Sequence, residues 1–418
     1  KFVPFTDNGT IANSLIFNHP DEPELSRTPS SGGNRRTFTI SAWIKLGSEF
    51  GQRRMLFSQA ASGNVYFIIE FDASNKILVS ANDGSIGADL NLITTRTFED
   101  TSKFYHITLA VDTTQSTASD RVKLYVDGDQ ITSFSTATYF GQNYDTQVNH
   151  TVEAAVGNWI STGYATDGYI AEFNLVDGTA LTPDTFGLTD TSTGRWIPKA
   201  LTGITYGTNG FRLQFGSSSA LGDDTSGNNH DFSVTNLVAG DQTTDSPTQN
   251  HATLQGTGGT LTEGNLTLDI NSSQFAHHNA TLKPKSGKYY AEFTCNAMGR
   301  SEVGVASTTK LPYSANNVRL PATDDGSLAG YMWYGYNGKI YTDSGSSTVG
   351  TYATYTTNDI ISIALDLDNL TVQFFKNNSS VGTFNLPNSN YTFCMGDGAT
   401  GYGGGWTANF GQKSFTYT

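Results

Sequence analysis

The first residues that could do chemistry lie in IIEFDASN (68–75), where Glu70 and Asp72 stand two apart in an apolar, strand-like run. Side chains alternate along a strand, so the two carboxylates share one face. Two carboxyls about 5–5.5 Å apart can cleave a glycosidic bond with retention, one as nucleophile and one as acid/base. The next polar group along, Asn75, is an amide and cannot protonate a leaving group. Residues 70 and 75 also point to opposite sides of a strand unless a bulge intervenes. The pair is therefore expected on the wet face of a sheet, with Phe71 opposite it on the core side.

Other constellations offer less. His277 and His278 are adjacent, so a strand sends them to opposite faces, and the seven histidines show no zinc spacing. No G-x-S-x-G elbow with triad partners occurs, and GYGGGW (401–406) lacks the Lys and helix of a phosphate loop. It is expected to form a flexible tip between strands. A non-catalytic role follows as the expectation. Glycan binding needs a different set: an exposed aromatic ring beside amide or acidic hydrogen-bonding groups. Trp159, Tyr164 and Asp167 form one such set, and Tyr402 with Trp406, flanking three glycines, form another. In GYMWYGY (330–336) alternation sends Tyr331 and Trp333 one way and Tyr334 and Tyr336 the other, so one pair is expected in the core.

These residues must be positioned by strands. Gly, Ser, Thr, Asn and Asp are abundant, aromatics reach 12%, and long Ala/Leu/Glu/Lys runs are missing. That composition suits short strands joined by many turns. RTFTISAWIKL (36–46) puts Phe38, Ile40, Ala42 and Ile44 on one face and Trp43 on the other. RVKLYVDGDQITSF (121–134) predicts a tight hairpin, because Asp127-Gly128 can adopt the positive φ angles such a turn requires. The fold class expected is all-β: two antiparallel β-sandwich (jelly-roll) domains joined by a turn-rich connector. Residues 1–189 read as the first sandwich, 190–256 as a polar connector that wraps or links the halves, and 257–418 as the second sandwich.

With 24 basic against 38 acidic residues the net charge is −14 and no basic stripe occurs, so nucleic acid is not expected as a partner. No apolar run approaches the 18 or so residues needed to cross a bilayer as a helix, and KFVPFTDNGT has no signal-peptide pattern. Membrane insertion is not expected. Cys295 and Cys394 are expected as two small buried thiols rather than a disulfide framework.

The first block resembles the laminin-G-like, concanavalin A-like lectin sandwich. The resemblance rests on SLIFN (14–18) with ELSRTPS, FTISAWIK (38–45), YHITLAVD (105–112), VKLYVDGDQI (122–131) and GYIAEFNLVDGTALTP (168–183). Retaining glucanases on that sandwich carry E-x-D-x-x-E. Here the last position is Asn75, which removes the acid/base. The second block resembles a SPRY domain through GKYYAEFT (287–294), SEVGVAS (301–307) and TTNDIISIALDLDNLTVQFFKNNSSVG (356–382). In its turn Asn378 replaces the usual Gly, and Asn tolerates the left-handed conformation.

The order of blocks, with SGN-x-x-DF and DSPTQN between them and ANFGQKSF at the end, resembles virion proteins of tailed bacteriophages. The resemblance implies a tail fibre or other appendage on the virion surface that binds host cell-surface glycans and contacts other virion proteins. It also implies a homo-oligomer, with a trimer as the expected order. A capsid or tail decoration protein binding other virion proteins is the second reading, and a glycan depolymerase the third. Laminin-G-like sandwiches often hold calcium at the rim, which makes Asp83, Asp89 and Asp145 candidate ligands. The favoured alternative is that these Asn/Asp/Gly loops simply make turns.

Overall fold

The computed structural model describes residues 9–159, 163–271, 276–311, 328–342, 347–397 and 402–417. Nearly all regular structure is antiparallel β, and the chain divides into two compact units between Asn250 and His251.

In the first unit two eight-stranded sheets face each other. The first is centred on strands Thr37–Leu46 and Gly168–Asp177, with Tyr105–Asp112 and Val122–Val126 beyond the former and Ser14–Phe17 beyond the latter. The second is centred on Arg54–Ser62, Val65–Phe71, Lys76–Asp83 and Leu90–Thr97. Phe38, Ile40, Ala42 and Ile44 all face the core, as alternation requires, and meet Phe67, Ile69 and Phe71 from the other sheet. Phe38 touches Phe67 edge-on at 5.6 Å. Each such burial contributes about 1.5–3 kcal/mol. Trp43 faces the other way and stacks on His106 at 4.5 Å.

The Asp127-Gly128 hairpin forms, with φ of 53° and 86° at its two central residues. Its second arm is only Asp129–Gln130. A Cβ on Gly128 would lie 2.5 Å from the Trp196 ring. Gly128→Ala is thus expected to cost roughly 1–2 kcal/mol for the left-handed backbone alone, and more for the collision. Thermal melting of the variant checks this, and an unchanged midpoint would refute it.

Residues 190–250 do not stand apart as a connector, because they add strands to both sheets. Phe211–Leu213 pairs with Gly168–Asp177, Gln242–Thr243 with Ser14–Phe17, and Ser233–Thr235 with Glu24–Arg27. The polar sequence is explained by local bonding. Asp224 accepts backbone N–H groups from Arg212, Ser226 and His230, and the Asn228 amide donates to the Gly207 and Gly210 carbonyls. Residues 251–256 belong to the second unit.

The second unit is two seven-stranded sheets. One is built around Tyr391–Asp397, Ser301–Ser307 and Gly330–Tyr334, the other around Gly404–Asn409, Lys288–Ala297 and Ile360–Asp366. Val303, Val305, Trp333 and Met395 from one meet Phe293, Ile363, Phe374 and Trp406 from the other. Asn377 and Asn378 both take positive φ in the turn between Thr371–Lys376 and Ser379–Asn385. The Asn377 side chain accepts the Ile360 N–H and donates to Asp359, so at that position Asn does what Gly could not. Cys295 and Cys394 are free and buried.

Candidate functional site

The Glu70 strand ends at Phe71, and residues 72–75 form a turn rather than more strand. Asp72 closes it by accepting the N–H groups of Ser74 and Lys76. Asn75 takes φ of 60°, a left-handed conformation Asn tolerates, and bonds Arg54 and Glu99. The two carboxylates therefore do not form a working pair.

The expectation that Glu70 meets only water is also corrected, since it is 1% exposed. Arg53 clasps it, with Nε 2.8 and 3.0 Å from the two carboxylate oxygens and Nη2 2.7 Å from one. Burial raises the Glu70 carboxyl from its ordinary range, while the Arg53 bonds oppose that rise. The cause is tertiary. The outer face of this sheet carries a second apolar cluster, in which Met55, Ala60, Ile68 and Trp159 pack with Tyr66, Leu78 and Tyr164. Trp159 and Tyr164 pack against the strand that alternation alone would leave wet.

That cluster fixes the first aromatic set. Trp159 is only 7% exposed and meets Tyr66 edge-on at 5.5 Å, so it packs rather than presenting a stacking face. Residues 160–162 lie outside the described residues. Tyr164 is half-buried and carries the Arg53 guanidinium 4.1 Å from its ring centroid. Asp167 is buried against Gly47, where a Cβ would lie 1.9 Å from its Oδ2, and it accepts the Glu49 N–H. Structure thus brings Trp159 to the Glu70 face by packing and Tyr164 through Arg53, and leaves Asp167 inaccessible to a ligand.

Burial pushes the Asp167 carboxyl up to about 7. An acid with a raised folded value favours the fold most when protonated. Its contribution is complete below the ordinary value near 4 and is lost as pH rises through about 7. The wild-type chain is therefore expected to lose stability between pH 4 and 8 more steeply than Asp167→Asn, read from urea midpoints. Parallel curves for the two proteins would refute this.

The second aromatic set divides. Trp406 is 0% exposed, inside strand Gly404–Asn409, and meets Tyr355 at 5.4 Å. The glycine tip expected there is strand from Gly404 onward, and Trp406 is core. Residues 398–401 lie outside the described residues. Tyr402 is 49% exposed and Tyr336 is 54% exposed. Both rings lie against Arg300, whose guanidinium carbon is 3.6 Å from the Tyr336 centroid and 4.2 Å from that of Tyr402. Arg300 also donates to the Tyr334 hydroxyl at 3.2 Å. No carboxylate pairs with Arg300 among the described residues, and bonds to the tyrosine hydroxyls hold its proton more tightly than usual. Of the GYMWYGY aromatics, Tyr331, Trp333 and Tyr334 are buried and Tyr336 alone is open.

Sequence reasoning named Tyr402 but missed Arg300 and Arg53. Arg300 occupies the tight turn that carries the chain from strand Lys288–Ala297 in one sheet to Ser301–Ser307 in the other, and a lone cation in that short turn was the available signal.

The three candidate calcium ligands are already engaged by bonds within the chain. Asp145 is bound by Arg36 at 2.7 Å, and Asp89 accepts the Asp83 N–H and the Tyr144 hydroxyl. Asp83 closes its own turn through the Ser85 N–H. Among the described residues no three His, Cys, Asp or Glu side chains come together to hold a metal. His277 and His278 lie in strand His277–Ala280, both buried.

Residues 25–185 match the Laminin_G_3 family model, the concanavalin A-like lectin/glucanases superfamily. Residues 288–400 match the SPRY domain model. The lectin-type match thus precedes the SPRY match along the chain. No match was found among curated proteins. Among solved structures, the chain is similar to the SPRY domain of human HERC1 at 19% identity, over 36% of this chain and 91% of that one, with a TM-score of 0.29. It is similar to a heptameric SAP-like pentraxin from Limulus polyphemus at 15% identity, covering 41% and 78%, with a TM-score of 0.31. Mouse laminin α1 domains LG4-5 overlap at 10% identity, covering 94% and 84%, with a TM-score of 0.33. No helix among the described residues is long and apolar enough to cross a membrane.

Proposed function

We propose that this chain is a non-catalytic glycan-binding protein on the surface of a tailed-bacteriophage particle, where it attaches to host cell-surface sugars. The observation that carries the reading is the Tyr336–Arg300–Tyr402 platform: two half-exposed rings held by a cation that has no carboxylate partner among the described residues. Tyr rings give a sugar a flat apolar surface and a polar edge. The remaining guanidinium N–H groups donate to its oxygens. The match of residues 25–185 to the lectin-type family supports the same class of ligand. Single contacts of this kind are weak, and several copies in a symmetric appendage, a trimer being the expected order, raise avidity without new contacts.

A glycan-array screen of the intact chain, with and without chelator, tests the reading. Binding is expected, unaffected by chelator, and weakened in Tyr336→Ala and Tyr402→Ala. No binding under either condition would sink it.

One observation favours the second reading, a decoration protein that contacts other virion proteins. Strand Ser233–Thr235 ends the second sheet of the first unit, and Val234 with nearby Val238 is exposed there. An open edge strand is a template for pairing with another chain. Copy number per particle separates an appendage from a decoration.

A further inference from the structure

The first unit contains a partly enclosed cavity of about 250 Å³ on the outer face of its first sheet, away from the Glu70 surface. Three features make it more than a packing gap. Strand Gly168–Asp177 shifts register against Thr37–Leu46 between Ala171 and Asn174, and Glu172 takes φ of 49° there. Left-handed backbone at a residue other than Gly or Asn costs free energy and is kept where the surroundings enforce it. Here it turns the Glu172 side chain onto the outer face, beside Arg212 from the paired strand.

The polar groups in the wall are only half used. Glu172 Oε1 accepts from Arg212 Nε at 2.5 Å, but Oε2 and the Arg212 Nη groups have no partner among the described residues. The Ser41 hydroxyl is in the same state. The Trp196 indole N–H donates to His106 Nδ1 at 3.0 Å, so the proton of His106 is on Nε2 and is donated to Ser41 Oγ at 2.9 Å. Burial holds His106 neutral, pushing it down to about 3. This tautomer cannot take the Ser41 proton, so the pair is not a nucleophile with its base. The Ser41 O–H is left as a buried donor with no acceptor among the described residues, and Ser41 lines the cavity.

Trp43, Phe186 and Leu201 supply the apolar part of the wall. The cavity therefore offers one carboxylate acceptor, guanidinium and hydroxyl donors, and an aromatic side. It is smaller than the roughly 300–1,000 Å³ typical of drug-sized ligands.

We propose that this cavity binds a single neutral polyhydroxylated ring of monosaccharide size. Each hydroxyl of such a ring both donates and accepts, which matches Glu172 Oε2 on one side and Arg212 and Ser41 on the other. A charged ligand fits less well, because Glu172 and Arg212 neutralise each other and the remaining charge on the wall, Lys199, is already turned to the Asp184 carbonyl. The site shares no residue with the Tyr336–Arg300–Tyr402 platform and does not depend on it.

The test is titration of the intact chain with free glucose, galactose, mannose and N-acetylglucosamine, and with glucuronate, followed by calorimetry and tryptophan fluorescence. At least one neutral sugar is expected to bind saturably. Glu172→Gln should weaken it about tenfold, the scale of one lost hydrogen bond to a charged group. Leu201→Trp, which fills the cavity without touching the ion pair, should abolish binding. Thermal melts identify any variant that fails to fold, and repeating each titration in Tyr336→Ala removes the platform's own contribution to the signal. Three results would overturn the proposal: no neutral sugar binds, glucuronate alone binds, or a folded Leu201→Trp protein binds as well as wild type.

Discussion

Asp245→Asn is expected to destabilise the first unit by about 3–5 kcal/mol, the cost of leaving a buried charge without its partner. Lys45 and Asp245 have fully buried side chains, with Nζ 2.9 Å from Oδ2 and 2.9 Å from the Asn250 side-chain oxygen. The rings of Phe104 and Tyr169 lie 5.6 and 5.5 Å from the ammonium. The substitution keeps the shape of the side chain and removes its charge, so packing changes cannot account for the loss. Burial pushes the Lys45 ammonium below its ordinary range, and Asp245 opposes this. In the variant burial acts with less opposition, so the unfolded state holds the proton more tightly than the folded state does. Stability of the variant should then climb as pH rises toward the ordinary lysine value. The measurement is the urea midpoint at several pH values, at constant slope. A loss below about 1 kcal/mol would contradict the argument. Lys45→Met combined with Asp245→Leu should recover much of the stability, because apolar replacement of both partners removes the desolvation cost.

Trp406→Ala is expected to cost about 3–5 kcal/mol, the range for emptying a large buried aromatic site. Tyr402→Ala, four residues away, should change stability by less than about 0.5 kcal/mol and lower glycan binding instead. The difference follows from exposure, since Trp406 faces Tyr355 inside the core and Tyr402 faces solvent beside Arg300. The Trp406 indole N–H finds no acceptor among the described residues, so Trp406→Phe should be milder than Trp406→Ala. If Trp406→Ala folds normally and loses only sugar binding, Trp406 is a ligand contact and the assignment here is reversed.

Much of the architecture was legible in the sequence because strand alternation is local. Phe38, Ile40, Ala42 and Ile44 share a face through period 2 alone, and that face is the core. The Asp127-Gly128 and Asn377-Asn378 turns were legible because positive φ selects those residue types. Alternation also placed Phe71 opposite Glu70. It could not say whether the Glu70 side was wet, because that depends on Trp159 and Tyr164, about 90 positions away, packing over it. The polar, turn-rich 190–250 stretch looked like a connector because its strands are only two or three residues long, too short to show a period.

What the sequence determined by itself was therefore the fold class, the core faces of its long strands, its tight turns, and the absence of a second carboxyl at position 75. Only the tertiary structure decided which polar and aromatic residues are reachable. Trp159, Asp167 and Trp406 are buried, whereas Tyr336 and Tyr402 meet at Arg300. Alternation assigns a side chain to one of two faces. Whether that face is open depends on what distant chain packs against it, and local periodicity carries no record of that.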